Sequence, residues 1–172
     1  MTWSEAEFSE FVAARSGALY RSAYFLTGGD RLAAQDLLQD SLAAAYARLR
    51  SVRDPHAHEA FVRKIMVRAA TRRWAWLRRT REDLGTPPEK PEPGHEDAVT
   101  STCDLAEALS HLSPRQRAVI VLRYYHDLTE VQIADALGCS TGAVKTHASR
   151  ALKALELALE GSPYAPTSGE GS

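Results

Sequence analysis

LSPRQRAVIVLRYYHDLTEVQIADALGCSTGAVKTHASRALKAL, residues 112–155, carries the punctuation of three successive helices in one run. Ser113 stands where an N-cap should, Pro114 takes the first helical position, and Gln116 can reach back to the cap backbone. The helix that starts there runs through Val119, Ile120, Leu122 and Arg123. Thr129 and Gln132 repeat the capping pattern, and Ile133, Ala134 and Leu137 then give a short apolar face that ends at Gly138. A glycine at that point suits the left-handed backbone of a tight junction between helices. A third helix is expected from Ser140, with Val144, Ala148, Ala151, Leu152 and Leu155 on one side.

The opposite side of that third helix is polar. At about 100° per residue, Lys145, Thr146, Ser149, Arg150 and Lys153 fall within an arc of roughly 140°. Lysine and arginine neutralise phosphates or donate to guanine edges, and threonine and serine hydrogen-bond to either. A polar arc alone is equally a solvated face of an ordinary bundle. Two capping boxes and a placed glycine beside it form the helix-turn-helix pattern, whose second helix enters a DNA major groove.

Upstream, Phe8, Phe11, Val12, Leu19, Ala23 and Leu26 recur at helical spacing, and Gly28 and Gly29 supply a stop. Asp30 can cap a second helix, with Leu37, Leu38, Leu42, Ala45 and Leu49 on one stripe and Asp36, Gln39 and Asp40 on another face. Asp54 followed by Pro55 opens a third segment through Phe61, Ile65, Ala69 and Trp76. Nothing here alternates with the period of two of a half-buried strand. The stretch LGTPPEKPEPGHEDAVTSTCD, residues 84–104, is too rich in proline, glycine and acids to bury a core and reads as a tether. The expected fold is all-α: helical domains over 1–81 and 105–160, a flexible acidic linker over 82–104 and a disordered tail over 161–172.

A formal charge of −1 on 172 residues argues against nucleic acid until its distribution is read. Residues 60–81 hold eight basic side chains and no acid, whereas 82–104 hold seven acids and only Lys90 as a base. Such segregation points to separate surfaces meeting different partners. Cys103 and Cys139 lack metal or disulfide-framework spacing and read as reduced thiols. No membrane span or secretory signal is legible, so a cytoplasmic protein is expected.

Residues 112–155 resemble region four of bacterial sigma factors, and DRLAAQDLLQDSLAAAYARL, residues 30–49, resembles their region two. The two-part layout is similar to the extracytoplasmic-function group of the sigma-70 family. That resemblance implies a transcription initiation factor, not an enzyme, with no cofactor. Its partners would be core RNA polymerase, through the beta-prime clamp helices and the beta flap, promoter DNA and an anti-sigma factor. Asp36, Gln39 and Asp40 match the family's polymerase-facing positions. Lys145, Thr146, Ser149, Arg150 and Lys153 would meet the minus-thirty-five element. The loop from Ser51 to His58 and the helix after it, with Arg63, Arg68, Arg72 and Arg73, would meet the minus-ten element. Arg68 departs from the pattern, which commonly has asparagine there; an arginine can hold phosphate or stack on a base instead. Trp74 and Trp76 are candidates for stacking on unpaired bases, or for core. The acidic linker is either a polyanion mimic in the RNA channel or a solvated spacer.

Three rivals remain at this stage. A LuxR-type helix-turn-helix regulator accounts for 105–160 and requires a strand-bearing domain upstream. A metal-dependent or hydrolytic enzyme would have to use His56, His58, His95, His111, His126 and His147, which are scattered without a catalytic spacing. An anti-sigma or adaptor protein would bind protein through the same amphipathic helices.

Overall fold

The computed structural model describes residues 4–48, 57–84 and 100–159, and among these every regular element is helical. Helix α1 spans Glu5–Leu26, α2 Arg31–Tyr46, α3 His58–Leu84 and α4 Thr100–Ser110. Helix α5 spans Pro114–Ile120 and runs on into a π turn over Val121–Tyr125, followed by α6 at Glu130–Leu137 and α7 at Thr141–Leu159. The helices form two groups, α1 to α4 and α5 to α7, which touch. The Asp54–Pro55 cap, the loop from 51 to 56, most of the expected linker and the C-terminal tail lie outside the described residues.

Local chemistry sets the boundaries. Ser4 and Glu7 close a capping box at the start of α1, and Asp30 accepts from the Ala33 amide at 2.9 Å to start α2. Ala34, Leu37, Ser41 and Ala45 form the buried stripe of α2 and meet α1 and α3, where Leu19, Ala23, Val62, Met66 and Val67 are also buried. Helix α4 begins at Thr100, inside the stretch expected to be linker. Ala106 and Leu109 are buried, and that packing fixes a helix which the polar residues before it extend by a turn.

The second group follows the sequence closely. Ser113 with Gln116, and Thr129 with Gln132, both close full capping boxes. Gly138 is left-handed at φ 68°, where a side chain would be strained. Ser140 Oγ accepts from the Ala143 amide at 3.1 Å at the start of α7. Val144, Ala148 and Ala151 are buried as expected, but Leu152 is 46% exposed. It sits about 80° from Val144 around the helix, on the flank of the stripe rather than its centre.

The π turn had no counterpart in the periodicity reading, because an amphipathic pattern fits α and π turns alike over so short a span. Here the His126 amide bonds to the Val121 carbonyl at 3.2 Å, five residues back. The wider turn brings Tyr125 and His126 against α1. The ring of Tyr125 lies edge-on to Phe25 with centroids 5.1 Å apart, and His126 Nε2 is 2.9 Å from Ser22 Oγ.

Candidate nucleic-acid interface

On α7, Lys145, Thr146, Ser149, Arg150 and Lys153 are all exposed, over the buried line of Val144, Ala148 and Ala151. The 3.6-residue period thus places apolar residues inward and the basic and hydroxyl residues outward. Thr146 Oγ1 donates to the Gly142 carbonyl at 3.0 Å, which fixes its rotamer and leaves its lone pairs outward. Lys145 Nζ lies 3.7 Å from a Glu130 carboxylate oxygen, a loose exposed pair that a phosphate can displace. His147 is half-buried on the flank; burial, with the charges of Arg115 and Arg150, holds its imidazole below the ordinary range. Five of the residues singled out from the sequence therefore share one solvent-facing surface.

The α3 candidates are not brought together in this way. Arg63 has a side chain only 15% exposed and pairs with Glu59 at 3.2 Å. Burial pushes the Glu59 carboxyl up, but hydrogen bonds and charge from Arg15 and Arg63 outweigh it and hold the group below the usual range. Arg68 turns to α6, donating from Nε to the Ala136 carbonyl at 2.8 Å and from NH2 to the Asp135 carbonyl at 2.9 Å. Arg72 is exposed. The side chains of Arg73, Trp74 and Trp76 lie outside the described residues. On α2, Asp36, Gln39 and Asp40 are exposed together, beside Leu32 at 75% exposure.

Sequence reasoning missed Arg117. It is 2% exposed and donates from Nε to Leu109 O at 2.8 Å and from NH1 to Leu26 O at 3.0 Å. Its NH2 reaches Leu112 O at 3.0 Å and Ser110 O at 3.4 Å. One guanidinium thus ties the ends of α1 and α4 to α5, and burial lowers its pKa to about 10. The signal was present: Arg117 falls on the same face as Ile120 and Val121, an arginine in an apolar stripe.

The exposed cationic and hydroxyl-bearing face of α7 has the chemistry that phosphates and base edges require. The family model described as "Sigma-70, region 4" matches residues 104–155. The RNA polymerase sigma-E factor of Streptomyces coelicolor is 39% identical over 152 residues, covering 87% of this chain and 84% of that protein. Sigma factor SigV of Bacillus subtilis is 35% identical over 73% of this chain and 75% of its own length. The ECF sigma factor SigL of Mycobacterium tuberculosis is 32% identical, covering 84% of each. In structure, the sigma factor RpoE of Bartonella quintana, co-crystallised with the anti-sigma factor NepR, superposes with a TM-score of 0.68. That match covers 90% of this chain and 97% of the other at 24% identity, a likeness of fold.

The chain belongs to the extracytoplasmic-function group of the sigma-70 family of RNA polymerase sigma factors. As a sigma factor it binds core RNA polymerase and directs initiation at promoters, and it is not an enzyme. The LuxR-type alternative, which explains only the C-terminal part, gives way to relatives matched along most of the chain. Among the described residues no helix is long and apolar enough to cross a membrane.

Proposed function

We propose that α6, Gly138 and α7 act as a helix-turn-helix that reads the minus-thirty-five element, with Lys145, Thr146, Ser149 and Arg150 toward base edges and Lys153 toward phosphate. The observation that carries this reading is the exposed basic and hydroxyl face of α7 over a fully apolar underside. Its first half would sit deepest in the groove, as recognition helices generally do. Helix α3, with Arg68, Arg72 and Arg73, and the preceding loop, would meet the minus-ten element. Arg63, being largely buried, would act there through packing rather than contact.

The exposed trio Asp36, Gln39 and Asp40 on α2 would dock on the polymerase clamp, where carboxylates and an amide fit a basic helical partner. An anti-sigma factor is a natural further partner, as for the Bartonella protein, which was crystallised with one. Run-off transcription with core polymerase on genomic fragments tests the reading and finds the promoter together. Specific transcripts that appear only with this protein, and shift when Arg150 is replaced, are the expected result. Specific initiation that is indifferent to every α7 substitution would sink the α7 assignment.

A further inference from the structure

We propose that Glu130 is a specificity-determining residue of the DNA-reading surface. Held in place by Arg123, it sets a negative charge beside Lys145 and turns that lysine from phosphates to the neutral acceptors of a base edge. The inference rests on the reading of α7 as the recognition helix given above.

Glu130 is the first residue of α6, but the capping box there is closed by Thr129 and Gln132 alone, so the Glu130 side chain is not needed to start the helix. Its carboxylate lies instead between two cations from different elements. Oε1 is 3.5 Å from Arg123 NH1 on the π turn, and Oε2 is 3.7 Å from Lys145 Nζ on α7. The side chains of Glu130 and Arg123 are 31% and 37% exposed, whereas that of Lys145 is 68% exposed. The acid is the more enclosed partner, and the lysine is the one that reaches outward. Arg123 is itself steadied, its guanidinium carbon lying 5.9 Å from the centroid of the Tyr124 ring. Lys145 is singled out among the cations of its face: among the described residues, no ion pair forms at Arg150 or Lys153.

The paired lysine discriminates between the two kinds of acceptor that DNA offers. An ammonium has three N–H donors, and one turned to Glu130 leaves two for DNA. A guanine edge presents N7 and O6, which carry no formal charge and tolerate a carboxylate nearby. A phosphate is an anion; to meet the same ammonium it must displace the carboxylate or sit beside it against like-charge repulsion. Non-specific binding is almost wholly cation against phosphate, so Glu130 subtracts from it at every sequence. The base-edge contact at the preferred upstream element loses far less. Glu130 thus widens the gap between the right sequence and all others without touching a base, by repulsion of the wrong contact.

Glu130→Gln tests this in holoenzyme reconstituted from core polymerase and the full chain. The amide keeps the shape of the side chain and the capping box of α6 and removes only the charge. Glu156→Gln, at an exposed position further along α7, is the control for charge alone. The probes are a promoter fragment found by run-off transcription and the same fragment with its upstream element scrambled. Glu130→Gln should bind the scrambled fragment severalfold tighter, with a salt dependence steeper by about one power of concentration, and the intact fragment almost as the wild type does. Glu156→Gln should leave the ratio of the two affinities unchanged. Adding Lys145→Ala to Glu130→Gln should abolish the gain, because the carboxylate acts through that lysine. Equal effects of Glu130→Gln and Glu156→Gln, or a gain that survives Lys145→Ala, would overturn the inference while leaving α7 as the recognition helix. Weaker binding of the intact fragment with no gain on the scrambled one would also overturn it, by making Glu130 itself the base contact. If Lys145→Ala and Arg150→Ala leave both fragments bound as in the wild type, the α7 reading falls and the inference with it.

Discussion

Arg117 and His126 show how much of the packing rests on single buried polar groups. A guanidinium shared among four carbonyls satisfies them all at once, and its removal leaves several of them buried and unpaired. Arg117→Ala is expected to destabilise the chain by about 3 kcal/mol, read as a fall in the urea midpoint. Arg117→Lys should recover only part, because an ammonium cannot reproduce the planar fork. His126 is lowered from its ordinary 6.5 to about 4, first by burial, then by the Arg63 charge, against an opposing pull from Glu59. A histidine with a depressed folded pKa is held neutral in the native state, so its contribution is full above about pH 6.5. It is lost as pH falls toward about 4. Urea midpoints measured across that window should therefore decline in the wild type. They should decline less steeply in His126→Gln, which keeps an amide for Ser22; equal slopes would show that the imidazole does not govern this acid sensitivity.

At the scale of elements, the role proposed for α7 would divide its polar face between contacts that specify and contacts that position. Arg150→Ala should weaken binding to the preferred upstream element by about 1 to 3 kcal/mol and relax selectivity at one base position, read by competition with single-base variants. Lys153→Ala, a turn further along, should weaken all sequences nearly alike and flatten the salt dependence. A sequence-selective loss at Lys153 instead would mean that α7 is inserted further along its length. Helix α2 offers the contrasting case, a polar face made of acids. Its buried stripe of Ala34, Leu37, Ser41 and Ala45 is independent of Asp36 and Asp40, so charge reversal at both should leave helix content unchanged. Binding to core polymerase should fall at least tenfold in a pull-down or by fluorescence anisotropy. Undiminished binding would move the polymerase contact elsewhere.

For the whole molecule, the contacts between the two helix groups set what the local sequence pattern does not. Most of the helices, the three caps at Asp30, Ser113 and Thr129, and the left-handed Gly138 are written in the sequence, because each depends on residues within a few positions of one another. So is the outward face of α7, since a helix period alone separates Val144 and Ala148 from Lys145 and Ser149. The family too was legible, since the capped run at 112–155 and the acidic face of α2 both lie in contiguous segments. The basic residues of α3 are legible as a run, but the local pattern does not say where each side chain turns. Whether Arg63 points to solvent, to Glu59 or to DNA depends on what packs against α3, and no short-range rule encodes that partner. The same holds for the π turn, whose register is set by the fit of Tyr125 and His126 on α1, and for the start of α4 at Thr100, set by the burial of Ala106 and Leu109. Arg117 and Arg68 complete the division. Their donors find carbonyls 91 residues away at Leu26 and 68 residues away at Ala136, and only the folded chain brings such distant groups within hydrogen-bond reach.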